Sequence, residues 1–310
     1  MFIVDSHCDS IQCVDSGKFP LVNPHNFSSK HLQLQFVAMF CMARDGNISE
    51  AYKKTVRYIG QFAISMQKES DRIVHVKTYS DIIKAFSQNK HAALLAIEGG
   101  SGVKASPDIL SDFYAYGVRV FGLAWLSNEF AKSNRIGEGE VDTGLTEAGR
   151  EIVSKGNFLG MIFDVSHLSD KSFWDLAAIS KKPLIASHSN FRSLCPHSRN
   201  LTDEMARHIV ESDGMIGLNM YPYFVDSREK FATVDRFFDH LDYCIDRFGS
   251  DNIGFGGDID GTDGMYPSPI TEESSIHDQF IDVMYRRGYS EDLIEKFCGG
   301  NYLKYLKKYL

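Results

Sequence analysis

The chain opens with "MFIVDSHCDS", where an apolar run breaks into Asp5, His7 and Asp9. Imidazole and carboxylate are metal-ligand types, and here they stand two residues apart at the end of a buried-type strand. Residues i and i+2 of a strand point the same way, so His7 and Asp9 can reach one point while Cys8 points elsewhere. A lone His-x-Asp is a weak signal. Other runs end the same way: Glu98 closes "ALLAIE", His167 closes "FDVSH", His188 closes "LIASH" and Asp258 closes "GFGGD". A carboxylate leaving an apolar run needs a partner, because burying it alone is costly. Taken singly, His167 could cap the helix after it and His188 could be a satisfied loop histidine. Taken together, three imidazoles and two or three carboxylates are the donor set of a zinc-type site.

Those groups outnumber the ligands of one tetrahedral zinc. Two Zn²⁺ ions about 3.5–4 Å apart could share Glu98 and a bridging hydroxide. His7 and Asp9 would then hold one ion, and His167 and His188 the other. Such a pair lowers the pKa of water and polarises a carbonyl, which is the chemistry of hydrolysis at neutral pH.

The elements that must position these residues are short apolar runs at 2–7, 32–40, 92–100, 118–125, 159–167, 183–189, 215–221 and 252–258. Most are continuously hydrophobic, as parallel strands covered on both faces are. Helical patterns alternate with them. The clearest is 233–248, with Val234, Phe237, Phe238, Leu241, Cys244, Ile245 and Phe248 at 3- and 4-residue steps. Thr202 is the expected N-cap of "LTDEMARHIV". Residues 47–70 read as one long helix. With a short apolar run and a further helix, it forms an insertion between the second and third main strands. The last 40 or so residues read as helices packed across the outside. Eight strands alternating with helices predict an α/β protein, a (β/α)₈ TIM barrel with a helical insertion and C-terminal helices. A doubly wound open sheet is the alternative. No linker or repeat interrupts 1–310, so one domain is expected. In a barrel the strand C-termini share one face, which gathers the ligand types together.

A net charge of −8 argues against nucleic acid or anionic membrane as a partner. Six cysteines without a CxxC pair fit reduced thiols and a cytoplasmic location. No apolar run reaches the length of a membrane span. "GFGGDIDG" lacks the dinucleotide-binding spacing, and "DIDGTDG" breaks the EF-hand pattern at Thr262 and Pro269. "CPHS" pairs Cys195 with His197 but supplies no third group to orient a thiol nucleophile.

The chain resembles the membrane (renal) dipeptidases, the M19 metallopeptidases, over nearly its whole length. The matching segments are "DSHCD" (5–9), "AIEGG" (96–100), "GLTEAGREIVSKGNFLGMIFDVSHLSD" (144–170), "PLIASHSNFRSLCPHSRNLTDE" (183–204), "FGGDIDG" (255–261) and "GGNYLKYL" (299–306). Related amidohydrolases usually begin His-x-His and use a bridging lysine, whereas here Asp9 and Glu98 stand in those places. The resemblance implies a binuclear zinc barrel that cleaves dipeptides, often with a D-residue on the C-terminal side. It implies His7, Asp9, Glu98, His167 and His188 as ligands, Asp258 as the proton-moving aspartate and Arg199 as the grip on the substrate carboxylate. Relatives often dimerise, which makes a homodimer an expectation. Tyr221 is a further candidate for substrate contact, with a core aromatic as the alternative.

One position departs from the mammalian pattern. A histidine there binds substrate at the end of the fourth strand, and this chain has Trp125. Asn128 could supply the missing contact. Three readings follow: a zinc dipeptidase; a related hydrolase of N-acyl-D-amino acids or another small amide or ester; or a non-catalytic metal-binding homologue.

Overall fold

The computed structural model describes residues 1–310 except 19, 44, 45, 136, 138, 229 and 230. Among the described residues nine parallel strands make one sheet: β1 (Phe2–Cys8), β2 (Leu32–Phe40), β3 (Ile73–His75), β4 (His91–Glu98), β5 (Val118–Gly122), β6 (Ile162–Asp164), β7 (Ile185–Ala186), β8 (Met215–Leu218) and β9 (Ile253–Phe255). The order is β2-β1-β9-β8-β7-β6-β5-β4, and pairing of β2 with β4 closes it into an eight-stranded barrel. β3 is the short run of the insertion. It pairs with the start of β4, at Ile73–His91 and His75–Ala93, while β5 pairs with β4 from Leu95 onward. The third main strand expected from sequence is therefore β4. The predicted (β/α)₈ barrel is the observed one.

Alternation along the strands sorts two apolar layers. Leu34, Phe36, Ala92, Leu94, Ala96 and Val120 form one buried cluster with Tyr302, Tyr305 and Leu306 of the last helix. Val37, Met39, Leu95, Ile97, Phe121 and Phe163 belong to the larger cluster beneath the surrounding helices. The helices start where capping chemistry allows. Asn47 caps Ile48–Lys68, Thr202 caps Asp203–Glu211, and Thr233 caps Val234–Phe248, each accepting a backbone N–H through its side chain.

The last helix, Asn301–Tyr309, corrects one expectation. It lies against the N-terminal mouth of the barrel, not merely across its outside. Tyr302 is fully buried and donates to Ser6 Oγ at 2.6 Å, and Tyr305 donates to Pro183 O at 2.8 Å. Amphipathic spacing shows that one face is buried, but not which surface covers it. Among the described residues no helix is long and apolar enough to cross a membrane.

Candidate metal centre

The ligand types meet at the C-terminal mouth. His7 lies near the end of β1, and Glu98 is the last residue of β4. Asp9, His167, His188 and Asp258 follow β1, β6, β7 and β9 by a few residues. Strict alternation would put Ser6 and His7 on opposite faces. The register of β1 against β2 shifts between Asp5 and Cys8, and both side chains turn inward. After Glu98 the chain passes so close to the Cys41 carbonyl that a Cβ on Gly99 would collide with it, and Gly99 has φ +88°. His167 (φ 71°) and Asp258 (φ 57°) also hold left-handed backbone, a strain that clusters at functional sites.

One oxygen organises the centre. Glu98 Oε1 lies 3.6 Å from Nε2 of His7, 2.8 Å from Nε2 of His167 and 3.4 Å from Nε2 of His188. His7 Nε2 is also 3.6 Å from Asp9 Oδ2 and 4.0 Å from Asp258 Oδ1. His167 and His188 bring their Nε2 atoms to 3.0 Å. Histidines and Glu98 are buried, and Asp258 is partly so.

The donors fit divalent metal. Ser187 Oγ donates to Asp164, so it must accept from Nδ1–H of His188, at 2.6 Å. That fixes the tautomer and leaves a bare lone pair on His188 Nε2, facing Glu98 and His167. Nε2 of His7 is buried without a hydrogen-bond partner. Lone pairs crowded this closely repel one another unless a cation or a proton lies between them.

The proton affinities reflect that crowding. Burial works to lower His7, but the carboxylates of Glu98 and Asp9 overcome it and hold the imidazole well above its usual value. Burial, reinforced by positive neighbours, holds His167 and His188 well below theirs. Burial pushes Glu98 up to about 7, with Asp9 adding to the effect and His7 opposing it. Asp258 is also raised, first by burial.

A cavity of about 320 Å³ opens onto Asp9, Glu98, His167 and Asp258, with Trp125 and Tyr221 among its walls. The Trp125 ring lies 4.9 Å from Phe40 and 5.7 Å from His167. Arg199 is buried beside these histidines; Nη1 donates to Ser189 Oγ at 2.6 Å, Nη2 is 3.2 Å from His167 Nε2, and Nε has no partner among the described residues. Asn219 donates to Asp258 Oδ2 at 3.0 Å and accepts the Tyr221 N–H at 2.6 Å. Asn128 is not brought to the cavity. Its amide donates to Leu123 O and accepts from the N–H groups of Phe130 and Ala131, so the side chain shapes its own loop.

Sequence reasoning missed Asp164, Ser187 and Asn219. Asp164 stands inside "FDVSH" at a strand end and could have been read as a support for the ligands. Ser187 and Asn219 carry no signal beyond their place beside strand-end residues.

A family model described as membrane dipeptidase (peptidase family M19) matches residues 1–309. The chain belongs to the membrane dipeptidase family. Dipeptidase tcpJ of Claviceps purpurea is 31% identical over 245 residues, 78% of this chain and 57% of that protein. An uncharacterized protein in the pqqA 5′ region of Klebsiella pneumoniae is 36% identical over 236 residues, 73% of this chain and 85% of its own length. The crystal structure of dipeptidase AC, an M19 metallopeptidase, superposes with a TM-score of 0.88 at 26% identity, covering 100% of this chain and 98% of that one. Membership in this metallopeptidase family implies metal dependence.

Proposed function

We propose that this membrane dipeptidase homologue hydrolyses short peptides with a free C-terminal carboxylate, using two zinc ions. The observation that carries the reading is the approach of one Glu98 oxygen to three imidazole nitrogens, beside Asp9 and Asp258. His7 and Asp9 would hold one ion, His167 and His188 the other, and Glu98 both. When bound, the ions supply a Lewis acid and a water of lowered pKa.

The chain's own residues do the rest. Asn219 holds one oxygen of Asp258 and leaves Oδ1 toward His7 and the ligands. A partly buried carboxyl with raised proton affinity suits a group that takes a proton from the attacking water and passes it to the leaving amine. Arg199 presents a guanidinium whose planar fork matches an α-carboxylate. Trp125 and Tyr221 wall the cavity and exclude water from the peptide.

The test joins metal analysis with a panel of L,L and L,D dipeptides and their C-terminal amides. The expected result is two zincs per chain, release of free amino acids from the dipeptides, and little turnover of the amides. Zinc-loaded protein that cleaves none of the dipeptides overturns the reading.

A further inference from the structure

The cavity wall carries carboxylates at Asp9, Glu98, Asp258, Asp260 and Asp263, yet among its described lining residues only one cation, Arg135. Arg135 is exposed, and its guanidinium lies 4.1 Å from the centroid of the Trp125 ring. No ion pair to Arg135 occurs among the described residues. Stacking on an indole fixes a guanidinium while leaving its in-plane N–H groups available. Trp125 in turn packs against Phe40 and His167, so the platform is anchored in the site and not on a free loop side chain. The Trp125 ring lies 5.7 Å from the His167 ring, and Arg199 Nη2 lies 3.2 Å from His167 Nε2, so Arg135 stands on the His167 side of the cavity and Arg199 is buried behind that same side.

We infer that Arg135, seated on Trp125, reads a carboxylate on the side chain of the substrate's C-terminal residue. This rests on the dipeptidase reading above, in which Arg199 takes the α-carboxylate. Two cations at one end are matched by a residue carrying two carboxylates, which is aspartate or glutamate. A neutral C-terminal residue leaves Arg135 in water at the rim, where it costs nothing. A lysine in that position opposes it. The preference is therefore a difference between substrates and not a requirement for turnover.

The experiment compares kcat/KM for Ala-Glu with that for Ala-Gln, a near-isosteric pair, in zinc-loaded wild type, Arg135→Gln and Arg135→Lys. Wild type is expected to favour Ala-Glu by about 10- to 100-fold, the range of a hydrogen bond to a charged group. Arg135→Gln collapses the ratio toward unity. Arg135→Lys keeps part of it, because the charge remains while the planar fork is lost. Raising the salt concentration shrinks the wild-type ratio, because the rim is solvated. A wild type that cleaves both peptides without preference overturns the inference and leaves the dipeptidase reading intact. So does an Arg135→Gln variant that slows both peptides equally, which marks a general contact. Failure to cleave either peptide or any other dipeptide overturns the dipeptidase reading, and this inference with it.

Discussion

The two mouths of the barrel bury polar groups to opposite ends. At the N-terminal mouth every buried polar atom of the plugging helix has a partner. Tyr302 reaches Ser6, Tyr305 reaches Pro183 O, and Asn301 donates to Ser250 O at 2.6 Å and Ile253 O at 2.8 Å. Lys182 crosses from below to the carbonyls of Gly160 and Tyr309. At the C-terminal mouth Nε2 of His7, Nδ1 of His167 and Nε of Arg199 are buried without partners, and Glu98 faces three imidazoles. Buried polar groups normally pair, and three unpaired atoms gathered at one mouth beside Glu98 call for a partner that the described side chains do not supply. One mouth is built for stability and the other for a ligand.

Replacing the central oxygen is the strongest way to break that contrast. Glu98→Gln is expected to lower kcat/KM by about 10³-fold or more, the scale of losing a main electrostatic group. Zinc content falls with it, while circular dichroism and the melting temperature of the metal-free protein do not. A variant that keeps its metal and its rate would show that Glu98 is not central.

The opposite mouth should respond in the opposite way. Tyr302→Ala removes a fully buried aromatic ring, and a loss of about 3–5 kcal/mol of stability is expected. Denaturant unfolding measures it. Whatever fraction remains folded still binds zinc. A Tyr302→Ala protein with wild-type stability would mean that the last helix does not seal the barrel.

How much of this could be read from sequence follows the same division. Apolar runs announced all eight barrel strands, most of them continuous because parallel strands covered on both faces leave little polar alternation, although β2 carries Gln33 and Gln35. His7, Asp9, Glu98, His167, His188 and Asp258 stood out because a ligand-type side chain at the end of such a run has no packing role there. Arg135 did not stand out, since a loop arginine acquires meaning only when the fold sets it over Trp125. Asp164 and Ser187 are 23 residues apart and meet only because β6 and β7 are neighbours. Asn128 misled for the converse reason: nearness in sequence to Trp125 does not aim its amide at the cavity, and local backbone N–H groups claimed it.

The contrast sharpens with pH in metal-free protein. Burial raises Glu98 from 4.5 to about 7, so the unfolded chain releases that proton first as pH rises. Stability owed to Glu98 is therefore greatest below pH 4.5 and falls between 4.5 and 7. Glu98 also helps keep His7 protonated, and that contribution is likewise lost as pH rises. The stability of Glu98→Gln minus that of wild type widens across this window and then levels off once both groups are deprotonated. Urea titrations at stepped pH, with a chelator present, read the difference directly. A difference that narrows with rising pH would mean that Glu98 is satisfied without metal.

The smallest effect tests whether the two mouths are energetically separate. Ser6 Oγ accepts from Tyr302 and lies 2.5 Å from Ser187 O and 2.9 Å from Phe255 O. Ser187 is the residue whose hydroxyl sets the His188 tautomer, so a continuous polar path runs from the plug to the candidate ligands. Tyr302→Phe deletes one hydroxyl from that path and keeps the ring, and is expected to cost about 1 kcal/mol of stability. Ser6 can keep donating to either carbonyl, so the backbone of Ser187 has no reason to shift. Zinc affinity and kcat/KM are then expected to remain at wild-type values. A tenfold loss of zinc affinity in Tyr302→Phe would join the mouths into one cooperative unit, with the last helix setting the posture of His188 through Ser6 and Ser187.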